Sequence, residues 1–436
     1  MNITIVGAGL AGAEASYQLA KRGVQVTLIE MRPHKRSAAH QTDQAAELVC
    51  SNTFRSNDIK NAVGVMKEEM RLHDSLIMRC ADRHRIPAGG ALAVDREGFS
   101  SCVHQALLDH PNITLTHDLV TTIPTGPTIL ATGPLTDDAL MEDIKRFTGE
   151  QSAYFFDAAA PILDASTIDL SVCFRKSRYD EENEGDYLNC PMNEAQYQAF
   201  YEALINAETA PLKEFELKVF EGCMPIEEMA RRGEQTMLFG PLKPVGLMHE
   251  GVKHHAVVQL RQDDARASMY NIVGFQTHLK FGEQKRIIRM IPGLEQAEII
   301  RYGVMHRNSF INAPNILNAH YQTKQREDLW IVGQLAGVEG YVESAASAIV
   351  AAHSAFAYLN GLTVSPFPKE TVIGAQADYI AHAPMKHFQP MNANFGLLPE
   401  ITEKHKKKER KSLMATRALQ AMEAFIHERS GLDQTL

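Results

Sequence analysis

The feature that most constrains this chain lies within its first thirty residues, where an apolar run, Ile3-Thr4-Ile5-Val6, passes directly into Gly7-Ala8-Gly9-Leu10-Ala11-Gly12. Each glycine in such a strand–turn–helix unit has a separate role. Gly7 takes the tight turn, Gly9 lets the backbone approach a pyrophosphate, and Gly12 lets the next helix pack closely on the sheet. The helix N-terminus then offers unpaired N–H groups and the positive end of its dipole to an anion. A helix from Ala13 to Arg22 ends at Gly23, and a second apolar run, Val24 to Ile29, closes on Glu30. Strand, loop, helix, strand and terminal carboxylate in this order read as a βαβ dinucleotide site. A carboxylate at Glu30 suits ribose hydroxyls and repels a 2′-phosphate, which favours FAD or NAD over NADP.

A second strand, glycine loop and helix occurs late in the chain. Trp330-Ile331-Val332-Gly333 leads through Gln334 to Gly337 and Gly340-Tyr341-Val342-Glu343 into an alanine-rich helix, Ala345 to Tyr358. FAD-binding domains use a unit of this kind to complete the flavin and ribityl site, whereas NAD-only dehydrogenases have no need of it. The strand Thr128 to Gly133, ending Ala131-Thr132-Gly133, has the small-residue ending with which two-dinucleotide flavoproteins return to the cofactor. Thr132, Gly133, Gly333, Gly337, Tyr341 and Glu343 therefore join the first loop as candidate cofactor residues. Tyr341 either stacks on the isoalloxazine or serves as a core tyrosine.

Between these units the chain reads as a helix over Ala62 to Asp82, with Val63, Met66, Met70, His73 and Ile77 near one face and Lys67, Glu68, Glu69 and Arg71 on others. A helix from Arg96 to Leu108 and a strand from Ile113 to Thr116 follow. From Pro134 to Gly293 the sequence is more polar and less regular, with a charged loop, Ser177 to Asp186, and short strand-like runs such as Ala256 to Leu260. The first domain is expected to resume near Ile299. The predicted fold is thus α/β: a Rossmann-like FAD-binding domain of the two-dinucleotide-binding flavoprotein type, residues 1–133 and 294–436, interrupted by an inserted α+β domain, residues 134–293. A final helix is expected from Glu403 to Arg429, with Leu413, Leu419, Met422 and Phe425 packing on the body.

The composition suits a soluble protein: 44% of 436 residues are apolar, enough for a full core. No run approaches a membrane span, and the opening strand leaves no place for a signal peptide, so the cytoplasm is the expected compartment. Cysteines 50, 80, 102, 173, 190 and 223 form no C-x-x-C pattern, so no structural zinc is expected. A reducing compartment disfavours disulfides, leaving each thiol as core or as a reactive group. A net charge of −9 argues against coating nucleic acid by bulk electrostatics. Lys404 to Lys411, with six fixed positive charges in eight residues, is either a phosphate grip or a solvated face.

With these motifs in place, essentially the whole chain resembles the folate- and FAD-dependent tRNA (uracil-5-)-methyltransferase family, TrmFO. The resemblance runs through Gly7 to Gly12, Ala46 to Ser51, Pro87 to Arg96, Glu221 to Glu227, Gln259 to Asp264, Asn271 to Leu279, Arg301 to Asn308, Gly333 to Ala346 and Gln389 to Leu397. It implies methylation of C5 of uridine 54 in the tRNA T-loop. The carbon would come from 5,10-methylenetetrahydrofolate and the electrons from NADPH or NADH through FAD, with no membrane and no obligate protein partner. C5 of uracil is a poor nucleophile until a group adds at C6 and turns C5–C4–O4 into an enolate. A thiolate suits that addition because it attacks well and leaves again. An unperturbed thiol, with pKa about 8.5, is only a few per cent ionised at pH 7, so the site must stabilise the anion.

The resemblance implies Cys50 as the nucleophile at C6 and Cys223 as the base that removes the C5 proton, with the two roles open to exchange. The other four cysteines are expected in the core. Ala348 and Ala352 stand where the family usually has glycine, which predicts tighter helix contacts and weaker FAD retention. Three alternatives remain at this stage. The same chemistry would serve a ribosomal uridine; a wobble-uridine enzyme of the related MnmG type would carry a long helical extension; and a flavin-binding RNA chaperone or scaffold would have no need of the paired thiols.

Overall fold

In the computed structural model, which describes residues 1–37, 39–149, 153–178, 185–210, 224–402 and 404–433, the apolar runs of the first loop's neighbourhood become a parallel sheet. Its strands are β1 (Asn2–Val6), β2 (Gln25–Glu30), β6 (Ile113–His117), β7 (Thr128–Leu130) and β16 (Leu329–Ile331), in the order β16-β7-β1-β2-β6. Both faces are covered, so the strands need not alternate, and Ile5, Leu28, Ile129 and Ile331 have no exposed surface. Between β2 and β6 the chain builds a small antiparallel sheet, β3 (Thr53–Ser56), β4 (Arg85–Ile86) and β5 (Ala91–Val94), in the order β3-β5-β4. Between β7 and β16 lie a two-stranded ladder, β8 (Ala153–Ala158) with β15 (Met305–Phe310), and a six-stranded antiparallel sheet. The latter comprises β9 (Ile162–Asp164), β10 (Phe174–Arg175), β11 (Tyr187–Met192), β12 (Ala256–Gln262), β13 (Met269–Ile272) and β14 (Ile299–Arg301), ordered β10-β11-β12-β13-β9-β14. The strand at Ile299 therefore belongs to this second sheet, and the chain rejoins the parallel sheet only at β16.

The helices are α1 (Leu10–Ala20), α2 (Ala62–Leu72), α3 (Leu76–Arg83), α4 (Arg96–Leu108), α5 (Asp138–Thr148), α6 (Glu194–Ile205), α7 (Ile226–Arg231), α8 (Glu234–Phe239), α9 (Phe281–Ile288), α10 (Ala313–Ile316), α11 (Tyr341–Leu359), α12 (Val372–His382) and α13 (Arg410–Asp433). α11 has the length and apolar composition of a membrane span, contrary to the sequence reading, but it is a core helix packed on α1. Ala348 and Ala352 are fully buried on it, consistent with close helix approach.

Three expectations need correction. The helix predicted over Ala62 to Asp82 is two helices. Asp74 turns the chain with φ 51°, and Ser75 caps α3 by accepting from the Met78 amide at 3.2 Å. The break is held from α1: Gln18 Nε2 donates to the His73 carbonyl, and Glu14 accepts from the Ser75 hydroxyl at 2.7 Å. Cys80 on α3 and Cys102 on α4, expected as separate core thiols, form a disulfide, because these neighbouring helices bring their Cα atoms to 5.8 Å. At the C-terminal end the helix starts at Arg410, so Lys404 to Lys408 precede it, and Leu413 is exposed while Met414, Met422 and Phe425 are buried.

Candidate active site

The cofactor end of the site is built from the first glycine loop. A side chain at Gly7, whose φ is 98°, would place its Cβ 2.7 Å from the Ala131 carbonyl, and one at Gly12 would fall 1.8 Å from the Gly7 carbonyl. Neither position admits another residue without moving backbone. Gly9, at the N-cap of α1, faces open space, which is what a bound pyrophosphate requires. Glu30, buried at the end of β2, accepts from the Ala8 amide at 2.9 Å and from Arg32 Nε at 2.7 Å. Burial raises its pKa, but Arg32 and the amides of Ala8 and Arg32 more than offset this, so the carboxylate is held below its ordinary range.

Around these groups runs a cleft lined by Gly7, Gly9, Leu10, Ala11, Glu30, Thr132, Gly133, Gly333 and Tyr341. Ala8 and Gly12 stand behind the lining, one bonding Glu30 and the other packing on Gly7. Two candidates lie off it. Gly337 abuts the Phe388 ring, and Glu343 is fully buried, accepting from the Ala393 amide at 2.9 Å and pairing with Arg55. Glu343 thus fastens the neighbouring Met391–Ala393 stretch instead of facing the cleft, because the first turn of α11 points it inward. Sequence reasoning missed Arg32, which joins Glu30 to Glu47 across this end, and His40, whose pKa is lowered to about 4 by burial and by Arg32.

The cleft continues into a second lobe through Val49, Pro134, Leu135, Gln334 and Tyr341, which line both. Cys50, half-buried, lies in this lobe with its thiol 3.9 Å from the Ala158 carbonyl. Its segment is clamped at every residue. Arg96 donates to the Leu48 carbonyl while paired with Asp263 at 2.9 Å, and Arg301 donates to the Val49 carbonyl at 3.0 Å. The amides of Cys50 and Ser51 both donate to the Tyr341 hydroxyl, at 2.8 and 3.3 Å. Arg261 reaches the Ser51 hydroxyl at 2.8 Å and Asn52 Oδ1 at 3.0 Å. Tyr341 therefore ties the cysteine segment to α11. Three guanidinium groups thus hold the segment that carries this thiol, and a charge on Cys50 interacts favourably with two of them, Arg96 and Arg261. Each arginine lies in a segment that carried the resemblance, but nothing in one sequence says that they converge on Leu48 to Asn52. Cys223 and the start of its motif, residues 221 and 222, lie outside the described residues, as do residues 179–184 of the charged loop.

The cleft suits a dinucleotide flavin: it has a glycine-opened helix N-terminus, the Glu30 carboxylate in its lining and shared lining residues that join it to the lobe of Cys50. The chain superposes on the solved structure of Aquifex aeolicus GidA, form II crystal, with a TM-score of 0.68 at 15% identity, covering 97% of this chain and 73% of that one. The family model described as "Glucose inhibited division protein A" matches residues 2–363. Fold and cleft define an FAD-binding α/β flavoprotein. The chain is 59% identical over 430 residues to the Anoxybacillus flavithermus protein named methylenetetrahydrofolate--tRNA-(uracil-5-)-methyltransferase TrmFO, covering 98% of this chain and 99% of that one. The Bacillus subtilis protein of the same name is 57% identical over 427 residues, 97% of this chain and 98% of that one. The chain belongs to the TrmFO family.

Proposed function

We propose that this protein methylates C5 of uridine 54 in the T-loop of tRNA, with carbon from 5,10-methylenetetrahydrofolate and electrons from NADPH or NADH through FAD. The names of its full-length relatives support the tRNA uracil C5 reaction and the folate donor. The observation that carries the reading is the position of Cys50, on a segment held by arginines in the lobe that opens from the dinucleotide cleft.

The residues divide the work as follows. Arg96 and Arg261 favour the Cys50 thiolate, whose electron pair forms a bond to C6 of the uracil. Tyr341, accepting from the Cys50 and Ser51 amides, fixes where that sulfur stands against the cofactor lobe. Once C5 has taken the one-carbon unit, Cys223 removes the C5 proton, and the C6–S bond breaks to restore thiolate and aromatic base. FAD, when bound, supplies the redox chemistry that turns a methylene into a methyl group. Glu30 and the Gly7–Gly12 loop would hold its adenosine diphosphate half, and Thr132, Gly133 and Gly333 line the path to the reactive lobe.

The test is transfer of label from methylenetetrahydrofolate to unmodified tRNA and, separately, to unmodified ribosomal RNA, with purified protein, FAD and NADPH or NADH. Label in 5-methyluridine of the T-loop alone is the expected result. Label in ribosomal RNA alone keeps the chemistry and changes the substrate, and none in either refutes the reading.

A further inference from the structure

The reactive lobe contains a buried polar atom that its neighbours leave unsatisfied. Asn271, on β13, is 3% exposed and lines the lobe with Cys50. Its Nδ2 is buried and has no hydrogen-bond partner among the described residues. Leaving a buried amide donor without a partner is costly, and one that lines a lobe of this kind points to a ligand that completes it. The orientation of the amide is settled by chemistry. Arg261 Nη2 lies 3.4 Å from Asn271 Oδ1, and a guanidinium has only donors to offer, so the oxygen must face Arg261 and the NH2 must face away. The same Arg261 nitrogen donates to the Ser51 hydroxyl, next to Cys50. One guanidinium therefore fixes both the segment carrying the thiol and the carboxamide.

We infer that Asn271 reads the base, donating a hydrogen bond from Nδ2 to the C4 carbonyl oxygen of the pyrimidine. This rests on the proposed function. When the Cys50 sulfur bonds to C6, the electron pair of the C5=C6 bond moves toward C4 and its oxygen takes up negative charge. When C5 takes the one-carbon unit the C4=O bond re-forms. A pre-oriented donor at that oxygen stabilises the charge as it develops, as an oxyanion hole does. The donor also discriminates, because cytosine presents an amino group at the same place and would set donor against donor.

The experiment uses full-length FAD-loaded protein and a T-arm stem-loop RNA labelled with tritium at C5 of the target uridine, or of a cytidine in its place. Release of tritium to solvent follows addition at C6 and needs no folate; label transfer from methylenetetrahydrofolate is measured in parallel. N271A is expected to lower kcat for both by about 10²-fold with bound flavin and RNA affinity retained. N271D has nearly the shape of the native side chain beside Arg261 and carries the test if N271A does not fold. It is expected to lower release from uridine at least as much, and to reduce the uridine-to-cytidine preference by about 10-fold or more. Wild-type activity with N271A or N271D at wild-type kcat and unchanged base preference overturns the inference alone. Wild-type protein giving neither tritium release nor label transfer overturns the proposed function as well.

Discussion

The segment of Cys50 is held by atoms contributed by residues remote in the chain: the guanidinium groups of Arg96, Arg261 and Arg301 and the hydroxyl of Tyr341. Cys50→Ser keeps the shape but replaces the proposed thiol nucleophile with an alcohol that does not ionise near neutrality. Methyl transfer should fall on the order of 10⁴-fold or more, measured by folate label, while the flavin spectrum is unchanged. His40 offers a test at the cofactor end. Burial, with help from Arg32 and Arg301 against the opposing Glu47 and Glu30, lowers its pKa to about 4 from an ordinary 6.5. Between these values the unfolded chain binds the proton and the folded chain does not, so stability is present above about pH 6.5 and is lost as pH falls toward 4. His40→Gln should flatten the dependence of Tm on pH in that window. An unchanged slope would show that the imidazole titrates normally. At this scale the glycine loop was legible because its pattern is local: Gly12 abuts the Gly7 carbonyl within one βαβ unit and Gly7 takes φ 98° at the turn, although the backbone Gly7 itself abuts, at Ala131, is remote in the chain. Lys67 was not. It reads as a surface lysine, yet it is fully buried and donates to the carbonyls of Phe54, Arg55 and Ser56, the irregular part of β3 in which Arg55 takes φ 61°. No helical periodicity announces a backbone partner.

Among the elements, the parallel strands and their helices were readable because hydrophobic period and cap residues act over a few positions. The split between α2 and α3 was written in Asp74-Ser75, a turn residue followed by a cap, but the apolar stripe ran on across it and outweighed the signal. The disulfide across α3 and α4 had no signal at all, since a separation of 22 residues becomes proximity only when the helices pack. Closing a loop of that length removes unfolded-state entropy worth about 3 kcal/mol. Oxidised protein should therefore melt at a higher temperature than protein treated with a thiol reductant, and Cys102→Ala should abolish the difference. Equal melting of wild-type protein under both conditions would show that the link contributes nothing to stability. The division of the chain into residues 1–133, 134–293 and 294–436 is a proposal that limited proteolysis can address, and β14 at Ile299–Arg301 argues for moving its second boundary later.

The whole molecule carries −9 charges, so an RNA substrate must be received by local positive features. Lys406, Lys407 and Lys408 are exposed ahead of α13, whose Met414, Met422 and Phe425 anchor it in the core next to α2. If this run meets phosphates, tRNA affinity should fall steeply with salt, and replacing the three lysines with glutamine should flatten that slope by up to about 2–3 units, depending on how many of them meet phosphates. A slope that does not change returns the run to a solvated face. The fold class was legible from the two glycine units, but the reactive lobe was not, because it exists only where two sheets of distant origin meet. Asn52 binds Val94 and Gln262 carbonyls at once, Arg96 from the N-terminal third grips Asp263, and Arg261 reaches back to Ser51 and Asn52. These bonds act as a clasp with one jaw on each half of the protein. Catalytic competence is then a property of the closed clasp and of neither jaw, so fragments cut between β7 and β9 should each be inert and regain activity only on reassembly. Inheritance would follow the same logic: neither half can be exchanged for a relative's counterpart unless the matching jaw travels with it.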